Sequence, residues 1–291
     1  MKCNRFVITF LVGILLASCA PGSAGALQPA NTSTVSPTAT TTLLPQVSLW
    51  LDGSVPAQMK TELHLPGNAQ IADSEATADL KLGATLASDA PTNWFYAVVA
   101  PFPTIPDNVT LDEIQQTWRG GGNTTFNGKP LLMSADTEAA LTVLWGAPSS
   151  QGVSVVDEDQ LVADAWANQP AWAIVPFEDL APRWKVLHVN GLDLFDRHTD
   201  LSQYPLVVHF GLSGDSQVVT AFDKAAAGGT SDLPATNFDP NKMTILLMTG
   251  TTALARWTAI KMDQNGVLYP DEDIKATLQN ADFTHTSDEV S

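Results

Sequence analysis

The stretch Trp94-Phe95-Tyr96-Ala97-Val98-Val99-Ala100-Pro101-Phe102-Pro103-Thr104, with the segment 108–121 behind it, constrains the fold more than any other part of the chain. An apolar, aromatic-rich run closed by alternate prolines reads as a buried strand leaving its sheet, because proline removes a ladder donor. The following segment reads as a helix with marked ends. Thr110 and Glu113 have the spacing of a capping box, and Gly120-Gly121 supplies the stop. A strand that exits one sheet, crosses over and opens a helix is how a chain passes between two lobes.

The flanking segments alternate in type. Val47–Leu51, 78–86, 129–133, 153–156, 171–176, 184–189 and 204–210 read as strands. Helices are expected at 56–63, 111–118, 137–145, 157–168 and 216–227, the third capped by Ser134 or Asp136 and stopped at Gly146-Ala147-Pro148. Such alternation means an α/β layer fold, with no sequence repeat and no heptads. Gly120-Gly121-Gly122-Asn123 reads as a mobile loop.

Charge restricts the partners. The chain has 291 residues, 31 acidic against 14 basic, for a formal charge of −17. That balance argues against nucleic acid and against electrostatic adhesion to anionic membranes. At 44% hydrophobic residues the chain can bury a substantial core.

Residues 1–18 read as a targeting segment: Lys2 and Arg5 form a positive n-region and 6–16 an apolar run too short to span a bilayer comfortably. Leu16-Ala17-Ser18-Cys19 then resembles a bacterial lipoprotein lipobox. The resemblance implies cleavage before Cys19 and acylation of its thiol, several acyl chains being enough for stable anchoring on the extracytoplasmic side of the cell membrane. The other cysteine, Cys3, leaves with the signal, so no internal disulfide is possible. Residues 19–46, rich in Ser, Thr, Ala and Pro and free of charge, read as a disordered tether.

The ordered set Val98-Val99-Ala100-Pro101-Phe102, Leu111 to Gly120, Ser134-Ala135-Asp136-Thr137, Ala173 to Phe177 and Tyr204-Pro205-Leu206 resembles type 2 periplasmic binding domains, in the style of the phosphate-binding components of importers. The resemblance implies a two-lobed α/β domain over 47–236 that holds a small solute in the cleft between lobes, often against helix N-termini. Carried to this chain, the cleft candidates are Thr104, Ser134, Asp136 and Thr137. Ser134 and Thr110 read equally as plain caps, and Trp94 and Tyr96 as core. Arg119, Lys129, Arg183, Lys185 and Arg197 are the few basic residues able to neutralise an anion, and nothing fixes the ligand. His188 and His209, on expected strands, read as sheet-face residues.

Residues 237–291 read as a separate βαα piece: strand 243–248, exit loop 249–252, helix 253–262, turn Asn265-Gly266 and helix 271–280. Gly250-Thr251-Thr252-Ala253-Leu254-Ala255-Arg256 and 281–289 resemble the opening of CapA-type domains of capsule and poly-γ-glutamate synthesis, which have a metallophosphatase-like fold. The family's metal-binding Asp is Thr251 here and its Asn is Ser287, so the resemblance implies a truncated relative without that activity. Asp282, His285, Asp288 and Glu289 read as a solvated acidic tail.

No Gly-x-Ser-x-Gly, HExxH or P-loop is present. Neither catalytic residues nor a metal or other cofactor is expected. The first expectation is therefore a lipid-anchored, non-catalytic solute-binding-like protein. The alternative is a truncated, inactive CapA-type envelope-polymer synthesis protein, and a third is a structural envelope protein whose cleft binds nothing.

Overall fold

The computed structural model describes residues 46–225 and 233–288. The signal, Cys19 and all but the last residue of the tether lie outside them, as does the end of the expected helix 216–227. Among the described residues no helix is long and apolar enough to cross a membrane.

The fold is mixed α/β. Its first half runs β1 (Val47–Leu51), α1 (Ala57–Glu62), β2 (Ala69–Ile71) and β3 (Leu80–Thr85) into the long strand β4 (Thr92–Pro101). The second half follows as β5 (Asn108–Val109), α2 (Leu111–Trp118), β6 (Leu131–Met133), α3 (Ala135–Trp145), β7 (Val153–Val155), α4 (Leu161–Ala167), β8 (Trp172–Pro176), β9 (Trp184–Val186) and β10 (His188–Val189). The chain then returns through β11 (Val207–Gly214) and α5 (Ser216–Ala225).

Strand order shows how the halves join. It runs β2-β1-β3-β11-β4-β8-β6-β7, with β9 also beside β4. In the first half β2, β1 and β3 are parallel and β11 is antiparallel to β3. In the second, β7, β6 and β8 are parallel and β4 is antiparallel to β8. Each half is thus three parallel strands in the order second, first, third, followed by an antiparallel one. This structural repeat has no counterpart in the sequence.

β4 belongs to both halves. Thr92–Phe95 pair with β11, Tyr96–Val99 with β8, and Val99–Pro101 with β9. Every residue from Trp94 to Pro101 is buried, which a strand flanked by sheet on both edges and covered on both faces requires. Full burial of side chains such as Val98 or Val99 contributes roughly 1.5–3 kcal/mol each. The expected strand is thus buried as read, but rather than leaving its sheet it passes from one half-sheet into the other.

Other expectations need correction. β2 was not foreseen, because three residues carry too little alternation to read. The expected strand 184–189 is two short strands with different partners, β9 on β4 and β10 on β5. The triglycine loop is tied down: Gly120 and Gly121 N–H groups donate to Thr117 and Gln116 carbonyls, and Asn123 donates to Thr117 Oγ1 at 2.7 Å.

Asn237 and Phe238, beyond the expected boundary at 236/237, pack into the main body. Asn237 exchanges hydrogen bonds with the Phe95 backbone, and the Phe238 ring lies 4.2 Å from that of Phe177. The remainder forms β12 (Leu246–Thr252), α6 (Trp257–Asn265), α7 (Lys275–Asn280) and β13 (Phe283–Asp288). The expected exit loop 249–252 is part of β12, which continues past an irregularity in its pairing with parallel β13. The predicted βαα piece is thus a βααβ unit. Leu246, Met248, Trp257 and Phe283 are exposed on it, and the Arg197–Asp282 ion pair ties it to the main body.

Candidate functional site

Ligands of α/β sheets gather outside the carboxyl ends of parallel strands, where successive crossovers run to opposite sides. In the second half the chain goes from β6 to one neighbour, β7, and then across to the other, β8. The switch point therefore lies between the ends of β6 and β8. Ser134-Ala135-Asp136 follow the first of these, and Phe177-Glu178-Asp179, a single 3-10 turn, follow the second. α3, which starts here, packs against β3 and β11 of the first half as well as against β8.

At the start of α3, Ser134 and Thr137 are buried, and their side chains bond within the turn. Ser134 Oγ donates to Asp136 Oδ1 at 2.5 Å and lies 2.9 Å from the Thr137 hydroxyl oxygen, while the Thr137 N–H donates to Asp136 Oδ1. Neither expected cap has the standard geometry, since Ser134, the N-cap residue, accepts no backbone N–H. Asp136 turns its carboxylate back onto the first turn instead, where a negative charge is favoured.

Facing this turn are Glu178, Asp179 and the β4 side chains Trp94 and Tyr96, which share one face of the strand because side chains alternate. Trp94 Nε1 donates to Glu178 Oε1 at 2.8 Å, and Asn237 Nδ2 donates to Glu178 Oε2 at 2.5 Å. Burial lifts the Glu178 carboxyl above its ordinary range despite those two bonds. Asp179 has no hydrogen-bond or ion-pair partner among the described residues. Burial, followed by the charges of Glu158, Glu178 and Asp136, pushes its carboxyl up to about 7. The Tyr96 hydroxyl is fully buried without a hydrogen-bond partner among the described residues. Burial, then the charges of Asp136, Glu178 and Asp179, raises it well above the usual phenol range.

The structure therefore brings Ser134, Asp136 and Thr137 together and leaves Thr104 elsewhere. Thr104 lies past the end of β4, where its carbonyl accepts from Lys185 Nζ at 2.7 Å. It borders a separate cavity of about 530 Å³ shared with Asn108, Thr125 and Trp172. Glu178 and Asp179 were not foreseen as site groups, and Tyr96 was weighed for the cleft but read as core. A pair of acids one residue past a buried strand was the available signal for Glu178 and Asp179.

The basic residues considered for an anion are engaged elsewhere. Lys185 pairs with Asp107, Arg197 with Asp282, Arg183 lies over the Trp166 ring, Lys129 donates to the Asn168 carbonyl and Arg119 to Gln115. His188 approaches Asp193 at 3.5 Å and His209 bonds Asn93 across the sheet, both as sheet-face residues.

No protein-family model matches the sequence, and no curated protein matches it. Among solved structures the chain is similar to an ABC-type phosphate transport receptor from Vibrio cholerae, at 12% identity and a TM-score of 0.48, over 65% of this chain and 100% of that one. It is also similar to PstS from Borrelia burgdorferi, at 9% identity and a TM-score of 0.39, over 62% of this chain and 92% of that one. A mutant of ArgBP from T. maritima gives 8% identity and a TM-score of 0.36, over 62% and 88%. These likenesses are remote, and the mixed α/β assignment stands on the strand order itself.

Proposed function

We propose that the chain is a lipid-anchored, extracytoplasmic solute-binding protein, acylated at Cys19 and without a catalytic role, that holds a small solute between its two half-sheets. The observation that supports this most is the placement of Asp136, Glu178 and Asp179. They follow the carboxyl ends of β6 and β8 at a switch point where α3, which packs against the other half, begins. Ser134, Asp136 and Thr137 remain the proposed contacts from the helix start. Thr104 is proposed only for the separate cavity it borders.

The capsule-synthesis resemblance of 237–291 is no part of the proposal. Among the described residues no group of three or more His, Cys, Asp or Glu is placed to hold a metal ion.

The anchor and the binding role are tested separately. Wild-type protein expressed in a bacterium with its signal intact is expected in the detergent phase after phase partitioning. Cys19→Ser is expected in the aqueous phase. Equal partitioning of the two would remove the anchor from the reading. For binding, a thermal-shift screen of small solutes on protein from residue 46 onward should find at least one that stabilises it. Silence across anions, cations, amino acids and sugars would remove the binding role.

A further inference from the structure

We infer that the solute held at the junction is an organic cation, an ammonium or guanidinium group, received by Asp179, Glu178 and Asp136 with the Tyr96 hydroxyl as a further polar contact. The inference rests on the proposed solute-binding role and specifies its chemistry.

Two independent observations carry it. The first is the charge arrangement. Four carboxylates, Asp136, Glu158, Glu178 and Asp179, follow the carboxyl ends of β6, β7 and β8. The charges acting on Asp179 and on the Tyr96 hydroxyl come from acidic residues alone. The first half of the molecule differs at the position that matches the end of β6, where Asp136 stands in the second half. Asp52, directly after β1, has Lys81 Nζ at 3.0 Å and accepts the Ser54 N–H. One half thus supplies its own counter-charge at this position and the other does not. Partly buried carboxylates disfavour their charged form unless a cation compensates them.

The second observation is Tyr96. Its hydroxyl is fully buried, lacks a hydrogen-bond partner among the described residues, and lies close enough to Asp136, Glu178 and Asp179 to feel their charges. Trp94, on the same strand face two residues earlier, already reaches Glu178. A buried polar group without a partner is rare and calls for a reason. An ammonium or guanidinium N–H placed among the carboxylates can donate to the phenol oxygen, and the phenol O–H can donate to a carboxylate that the cation has drawn in. An oxyanion finds the opposite setting, with like charges on several sides and the basic side chains of the region engaged elsewhere.

Isothermal titration of residues 46–291 with agmatine, putrescine and spermidine, and in parallel with phosphate and sulfate, tests this. At least one amine is expected to bind. Asp179→Asn is expected to weaken that amine by about 10- to 100-fold, the effect of losing a charge-assisted hydrogen bond. Tyr96→Phe is expected to weaken it less, by about 3- to 10-fold, with circular dichroism unchanged in both variants. Binding of phosphate or sulfate but of no amine would overturn the cation assignment and leave the solute-binding role standing. An amine that binds Asp179→Asn as tightly as wild type would overturn the assignment of this site. Absence of binding by every probe would sink the cation inference, and the wider solute screen would decide the role itself.

Discussion

Replacing Asp179 by Asn should make the protein more stable, and more so as the pH rises. An aspartate ionises near 3.8 when unfolded, whereas burial and the neighbouring carboxylates hold Asp179 protonated up to about 7 in the fold. Below the lower value both states carry the proton and nothing is lost. As pH climbs through the window the unfolded chain releases its proton first, so native stability falls until about pH 7 and then levels. At 1.36 kcal/mol per decade the full separation amounts to about 4 kcal/mol. Asp179 is only partly buried, and solvent screening reduces that to roughly 1–2 kcal/mol. Urea unfolding of wild type and Asp179→Asn from pH 4.5 to 8.5, in buffers free of amines, gives the difference directly. The variant should match wild type near pH 4.5 and exceed it by roughly 1–2 kcal/mol at pH 8. Depressed carboxyls such as Asp52 and Glu113 titrate identically in both proteins and cancel. A difference that is constant with pH, or a variant less stable than wild type at pH 8, would refute the picture of an uncompensated carboxylate at the junction.

Two further substitutions test the scaffold. A Cβ at Gly152 would sit 2.0 Å from the Thr117 carbonyl oxygen and 2.5 Å from that of Trp118, backbone that cannot step aside. Gly152→Ala should therefore cost about 3 kcal/mol, read as a lower urea midpoint at an unchanged slope. Thr110→Ala removes the side chain that accepts the Glu113 N–H and should cost about 1 kcal/mol, whereas Thr110→Ser should retain most of it. If alanine and serine proved equal by the same unfolding assay, the cap would have no energetic role.

The readability of these features follows the range of the interactions behind them. α2 was legible to the residue because its signals are local: a capping box at one end, two glycines at the other, and Ile114 and Trp118 on one buried stripe. Both halves of the capping box are present, and Thr125 adds a further hydrogen bond to Glu113. The insertion of β11 between β3 and β4 was not legible, since that pairing joins residues more than a hundred positions apart. The repeated strand order was hidden for the same reason, because topology repeats here without any repeat of residues.

Ser134, Asp136 and Thr137 stand together at the start of α3, a grouping the rule that helices begin after strands makes legible. Thr104 does not join them, because its place is set by where β4 ends. Tyr96 shows the limit most clearly. Its burial is readable from the apolar run around it, but the lack of a partner for its oxygen is a property of the assembled fold.

A ten-residue strand common to both half-sheets has a consequence for anyone who would dissect this molecule. Cutting the chain within β4, or expressing either half alone, leaves a fragment one strand short, with raw backbone donors and acceptors along the torn rim.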